Sequence, residues 1–169
     1  DTRQRKGLRV VSCVLVLLLA GVLASAAFRM QLYLQAYGLT EARVYGSTIL
    51  LWLAGVLAWL AMTVLRGHRR GFVFGAIVGA LACVVALHLA YAEGLVARVN
   101  LARAAAGAEY DGGYLRSLSA DAVPALLAAR HVLPASERCR IEAKLARGWA
   151  GPREGGWRTW NLADATARR

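Results

Sequence analysis

His88 is the only histidine, lysine, arginine, aspartate or glutamate inside the three long apolar runs of this 169-residue sequence. Ionisable side chains within apolar spans are costly and often mark functional sites. An imidazole is also a preferred axial ligand of metal-centred rings. The sequence therefore allows two interpretations of His88: a ligand of a haem or another metal-centred pigment, or an interfacial histidine hydrogen-bonded to a carbonyl group or to water.

The cysteines support neither a metal site nor a disulfide framework. Cys13 and Cys83 lie inside apolar runs, where a thiol packs as a small apolar group. Cys139 stands alone in the C-terminal tail. Its thiol is either buried in a helical tail and inert, which is the favoured interpretation, or it pairs with another chain.

Catalytic patterns are missing from the sequence. It holds no glycine-rich phosphate loop, no H-E-x-x-H and no G-x-S-x-G. Glu137 and Glu142 differ in helical phase, and Asp111 and Asp121 are typical of turns and helix starts. We therefore do not expect an enzyme.

Three charge-free runs are long enough to cross a membrane: Val10–Phe28, Val44–Leu65 and Gly71–Ala92. At about 1.5 Å per residue, each spans a hydrocarbon core of roughly 30 Å. The composition, 58% hydrophobic and 18% charged, is too apolar for an ordinary soluble domain. We predict an all-α fold, with a three-span transmembrane bundle in residues 1–92 and a small helical extracytoplasmic region in residues 93–169.

The first run is preceded by basic residues, as in a secretory signal peptide. Its apolar part is longer than a signal core, and the sequence continues with a helical pattern, so we interpret it as a true span. The helix is expected to end at Gly38, with Thr40 capping the second helix and Glu41 in its first turn. Because the sequence begins with Asp1 rather than with methionine, we interpret it as part of a longer or processed chain.

The third run carries a small residue at every fourth position. These residues are Gly71, Gly75, Gly79 and Cys83. Residues four apart lie on one helix face, and small side chains let helices approach closely in lipid, where no hydrophobic force drives association. This ridge is predicted to face protein, either the first or second span of the same chain or another subunit.

Two tryptophans, Trp52 and Trp59, lie seven residues apart on nearly the same face of the second span. Lipid and helix packing are the favoured interpretations, and a flat cofactor is the alternative. Trp157 and Trp160 flank an arginine near the C-terminus, which suits an interfacial anchor or a protein contact.

The tail is predicted to be helical. One segment either extends the third helix or forms a new surface helix ending at Gly107. Asp111, Ser119 and Ser136 are candidate N-caps, and Gly148 is a candidate helix stop.

The positive charges predict the orientation. Seven lysines and arginines precede the first run or lie between the second and third, and four flank the opposite ends. The positive-inside rule then puts the N-terminus in the cytoplasm and the tail outside it. Anionic lipid head groups account for these cations despite a net charge of +11, so membrane lipids are expected partners and nucleic acid is not.

A resemblance to a known family rests on four stretches in order: LYLQAYGLTEARVYG, VARVNLARA, YLRSLSADAVPAL and WRTWNLADATAR. They resemble the C-terminal portion of a bacterial polytopic membrane-protein family catalogued as a domain of unknown function, of the 4153/4173 type. The resemblance implies a membrane fold with further upstream spans in typical members, and no established reaction.

Together these features favour a noncatalytic accessory subunit that docks on other membrane-protein subunits. The host would be a larger bacterial complex, photosynthetic or respiratory. The alternative is a membrane sensor or envelope regulator whose tail receives a signal.

Overall fold

The computed structural model describes residues 2–66, 71–109, 111–129, 131, 133–149 and 165. In these residues it is all-helical, as predicted, and contains no strand. The chain divides into two compact units. The transmembrane unit comprises Asp1–Ala36 and Ala42–Leu89, and the tail unit comprises Tyr37–Glu41 and Ala90–Arg169. The short segment between the first two helices thus groups with the tail unit.

The transmembrane unit contains helices α1 (Thr2–Tyr37), α2 (Glu41–Arg66) and α3 (Phe72–Ala90). Each contains a segment long and apolar enough to cross a membrane, which confirms the three predicted spans. Helix α1 continues well past Phe28 because helix-compatible residues follow until Gly38, whose φ of +74° belongs to the left-handed region.

Large apolar side chains of these helices point outward. Leu17, Leu51 and Leu89 are 70%, 72% and 72% exposed. Such surfaces are stable where the surroundings are hydrocarbon rather than water, because lipid tails are as apolar as the side chains themselves. The chain is therefore a membrane protein.

The tail unit begins with a break in the helix rather than an extension of α3. Tyr91 has φ 47° and ψ 74°, a left-handed conformation that is unusual for an aromatic residue, and α4 (Ala92–Ala105) starts directly after it. Gly107, at φ +85°, follows the end of α4. Of the two sequence interpretations, the new helix is confirmed.

Short helices complete the tail unit. They are α5 (Gly112–Ser117), a 3₁₀ turn (Ala120–Ala122), α6 (Val123–Ala128) and α7 (Ala135–Trp149). The carboxylate of Asp111 accepts a hydrogen bond from the Tyr114 backbone N–H at 2.9 Å, which confirms this N-cap. Ser119 precedes the 3₁₀ turn without a capping hydrogen bond from its side chain.

Two predicted boundaries of α7 are wrong. The helix already includes Ala135, so Ser136 lies inside it rather than at its cap, and it continues past Gly148 to Trp149. The carbonyl of Pro134 accepts the Arg138 N–H at 2.9 Å, so the helical bonding begins before Ser136. A glycine ends a helix only where its backbone turns to positive φ; otherwise it costs about 1 kcal/mol and stays helical.

The tail unit has a small apolar core. Val96 and Leu101 of α4, Leu115 of α5 and Leu126 of α6 are each at most 3% exposed. Ile141 is buried on α7. This core holds the short helices together and fixes the side chains described below.

Candidate functional site

The glycine ridge and the two tryptophans form one interface between α2 and α3. A Cβ atom added to Gly75 would lie 2.8 Å from Trp59 Nε1, and one added to Gly79 would lie 3.6 Å from Trp52 Cδ1. Trp52 Nε1–H donates a hydrogen bond to the Ala76 carbonyl at 3.2 Å. Each indole thus occupies the space over a glycine, and the structure brings these four predicted residues together within one chain.

Gly71 and Cys83, predicted to belong to the same ridge, differ from Gly75 and Gly79. Gly71 precedes α3, has φ +94°, and a Cβ there would meet nothing within 4 Å. Glycine is required at position 71 by the backbone conformation rather than by packing. Cys83 is half-buried with a free thiol.

His88 lies on the exposed surface of α3. Its Nδ1–H donates to the Val84 carbonyl at 3.0 Å, since a carbonyl can only accept. In the neutral ring this leaves Nε2 as the nitrogen with a free lone pair. Within the described residues no group of three or more histidines, cysteines, aspartates or glutamates is arranged to hold a metal ion.

Three further predicted residues have different outcomes. Trp157 and Trp160 lie outside the described residues. Cys139 is exposed on α7, so its interpretation as a buried thiol is wrong. The reason is that the apolar stripe of α7 runs through Ile141 and Leu145, and Cys139 lies off that stripe.

A second intramembrane feature is an apolar groove of about 650 Å³ whose lining residues all come from α1 and α2. Met30 of α1 lies against Gly46 of α2, where an added Cβ would be 3.0 Å from Met30 Cε. Both walls carry alanines spaced four and then three residues apart. They are Ala20, Ala24 and Ala27 on α1 and Ala54, Ala58 and Ala61 on α2.

One end of this groove is polar. Gln31 and Ser47 line it, close to the Met30 and Gly46 contact. The hydroxyl oxygen of Ser47 is buried and has no hydrogen-bond partner among the described residues. By contrast, the neighbouring Thr48 hydroxyl donates to the Val44 carbonyl at 2.9 Å.

In the tail unit, Asn100 holds the segment that precedes α2. Its side-chain amide accepts the Leu39 N–H at 2.8 Å and donates to the Leu39 carbonyl at 2.7 Å. A Cβ on Gly38 would lie 2.6 Å from Asn100 Oδ1, so glycine is needed there for space as well as for its positive φ. The Glu41 N–H donates to the Tyr114 hydroxyl at 3.0 Å.

Charged groups from different helices meet around Glu93. Its carboxylate accepts the Ser119 N–H. Burial, and then the nearby charge of Glu93, raise the pKa of the Asp121 carboxyl. Lys144 Nζ donates to the Leu118 carbonyl at 3.1 Å, and burial lowers the pKa of this amine.

The tail unit also contains a cavity of about 700 Å³, which we call the tail cavity. Its walls come mainly from α4, the 3₁₀ turn and α6, and alanine is their commonest residue. Tyr91, Arg98, Asp121 and His131 also line it. Among the described residues neither Arg98 nor Asp121 belongs to an ion pair, and Asp121 Oδ1 is buried without a hydrogen-bond partner.

Sequence reasoning missed the tail cavity. By sequence alone, Arg98 is one of the cations that flank the third span, and Asp121 is typical of a helix start. Their proximity depends on the return of the chain through α5, and no local pattern encodes that return. The signal that could have raised suspicion is the density of alanine on both helices, since small side chains leave space between packed helices.

A family model described as "Domain of unknown function (DUF4153)" matches residues 1–129, which is most of the chain. No curated protein and no solved structure matches it.

Proposed function

The chain belongs to the family described as Domain of unknown function (DUF4153), and we propose that it is a noncatalytic integral membrane accessory subunit. It docks on and stabilises a larger bacterial membrane complex. The observation that carries this proposal is the open groove between α1 and α2, with alanines along both walls.

The argument rests on how helices associate in lipid. Close packing and interhelical hydrogen bonds replace the hydrophobic effect there, and small residues let backbones approach. Between α2 and α3 the chain fills the space over its glycines with two indoles. Between α1 and α2 it leaves the corresponding space empty, and a transmembrane helix of a partner subunit would fill it.

The polar end of the groove supports the same occupant. Ser47 Oγ lacks a hydrogen-bond partner among the described side chains, and the Gln31 amide lies at the same end. A partner helix with a serine, threonine or asparagine at this depth would hydrogen-bond to the exposed Gln31 amide, whereas an acyl chain would not.

Purification in mild detergent tests this function. We expect wild-type protein to bring a stoichiometric set of membrane subunits, and Ala24→Phe or Ala58→Phe to lose them because the phenyl ring fills the groove. Ala86→Phe is the matched control, since Ala86 lies on the exposed surface of α3. A photoreactive side chain at position 24 that labels only lipid would contradict the proposal.

The proposed location is the bacterial inner membrane, with the N-terminus in the cytoplasm and the tail unit outside it. The distribution of lysine and arginine supports this orientation. Reporter fusions at residues 68 and 131 should give cytoplasmic and extracytoplasmic signals respectively, and the reverse result would overturn it. Photosynthetic and respiratory complexes are the proposed hosts, and absorbance lost on His88→Ala would identify a pigment or haem contact.

A second candidate function is a membrane sensor or envelope regulator whose tail unit receives a signal. The tail cavity specifically favours it, because an apolar cavity with a few polar groups is the usual form of a small-molecule site. A sensor should alter the accessibility of the loop between α2 and α3 when its ligand binds. An accessory subunit should copurify with partners whether or not that ligand is present.

A further inference from the structure

The tail cavity presents one carboxylate and one guanidinium that lack ion-pair partners among the described residues, together with an extended alanine surface. We propose that this cavity binds a small apolar amino acid in its zwitterionic form. Asp121 holds the ammonium group, Arg98 holds the carboxylate, and the alanine surface receives the side chain. The inference deepens the sensor function and rests on it.

Both charged residues line the cavity and belong to segments that meet at Gly94. Gly94 of α4 is packed against the backbone of Asp121, where a Cβ would be 2.7 Å from the Asp121 carbonyl oxygen. Arg98 follows Gly94 by one helical turn, a rise of about 6 Å. Because Asp121 and Arg98 both line the cavity, we assign to them the ammonium and carboxylate groups of one α-amino acid.

The charges favour a zwitterion over a singly charged ligand. A plain carboxylate would pair with Arg98 but bring a negative charge towards Asp121, and a plain amine would do the opposite. Burial already disfavours the charged form of Asp121 and raises its pKa, so a cation at this position would stabilise the carboxylate. A zwitterion satisfies both groups at once.

The rest of the cavity suits an aliphatic or aromatic side chain. Ala102, Ala105, Ala125 and Ala128 line it, with Leu101 as the largest apolar residue. The volume of about 700 Å³ lies within the usual range for small-molecule sites. Tyr91 borders the cavity with a left-handed backbone, a strained conformation often found at ligand sites.

Isothermal titration of the detergent-solubilised full chain tests the proposal. The probes are leucine and phenylalanine, with 4-methylpentanoate and 3-methylbutylamine as the matched acid and amine. We expect the amino acids to bind at least about tenfold more tightly than either analogue, because each analogue loses one charge-assisted contact. Equal binding of 4-methylpentanoate and leucine would overturn the role of Asp121, and with it the proposal.

Variants assign the contacts. Arg98→Gln and Asp121→Asn should each weaken leucine binding about tenfold or more, and Ala125→Phe should weaken it by occupying part of the apolar end of the cavity. Arg138→Gln is the control, since Arg138 is an exposed cation of α7 outside the cavity lining. Circular dichroism and thermal unfolding establish that each variant is folded.

The failure of this inference can be distinguished from failure of the sensor function. If the protein unfolds cooperatively but releases or absorbs no heat of binding with leucine or phenylalanine, the ligand assignment is overturned. The sensor function itself fails if the accessibility of the α2–α3 loop in intact cells stays constant when the pH, the ionic strength and the solutes on the tail side of the membrane are varied.

Discussion

Gly75→Ala and Gly79→Ala are the same chemical change in the same helix, yet we expect them to differ in stability. A methyl group at Gly75 would lie 2.8 Å from Trp59 Nε1 and 3.1 Å from Cε2, whereas one at Gly79 would lie 3.6 and 3.7 Å from Trp52. Favourable contacts lie near 3.5–4.0 Å, so the Trp59 ring must withdraw by about 0.7–1.2 Å while the Trp52 ring can stay.

The magnitude follows from the room around Trp59. Overpacking typically costs about 1–3 kcal/mol, and Trp59 is 42% exposed, so its ring can partly move outward. We therefore expect Gly75→Ala to be less stable than Gly79→Ala by about 1–2 kcal/mol. The gain in helix propensity from glycine to alanine, about 1 kcal/mol, cancels in this comparison.

Reversible unfolding in mixed micelles, followed by tryptophan fluorescence, measures the difference. Gly55→Ala is the control, because a Cβ there meets nothing within 4 Å and reports propensity alone. In the background of Trp59→Leu, the cost of Gly75→Ala should disappear. Equal free energies of unfolding for the two single variants would refute the proposed α2–α3 packing.

Three further changes have expected outcomes. Trp52→Phe removes the hydrogen bond to the Ala76 carbonyl and should cost about 1 kcal/mol in the same unfolding assay, whereas an unchanged stability would contradict that bond. Asn100→Ala leaves both backbone groups of Leu39 without their partner and should lower the stability of the tail unit by about 1–3 kcal/mol. Hydrogen exchange at the Leu39 amide measures this loss. Unaltered exchange would argue against the two hydrogen bonds between Asn100 and Leu39. Because the pKa of Asp121 is raised above its ordinary value of 3.8, the folded state holds the proton more tightly, so this residue's contribution should be most favourable below pH 3.8 and should fall as pH rises through the raised pKa. Asp121→Asn should remove that decline in a pH series of thermal melts, and an identical pH profile in the variant would refute the assignment.

The spans were predictable because their signals are local. Long apolar runs indicate membrane helices, and Gly38 indicates the end of α1 because glycine readily adopts the positive φ found there. The spacing of small residues in α3 predicted which face of the helix would be packed, but it did not indicate which helix would pack against that face. The indoles of Trp52 and Trp59 occupy that face.

The tail unit was harder to predict because its site is assembled over long sequence separations. Asn100 holds Leu39 across 61 positions, and Asp121 reaches Gly94 only after the chain has passed through α5. The break at Tyr91 carries no glycine or proline signal, so the sequence left an extended α3 equally open. Tertiary packing decides such features, and a single sequence does not encode them in its local pattern.

The backbone of Gly71 determines how α3 can align beside α2. Three glycines spaced by four offer two registers that put both indoles over glycine: Trp59 over Gly75 with Trp52 over Gly79, or both indoles one turn nearer the start of α3. In the second register Trp59 would need a helical Gly71, but that residue has φ +94° and α3 begins after it. The left-handed turn therefore excludes the second register, and α2 cannot shift by one turn towards Gly71 without losing a contact between an indole and a glycine.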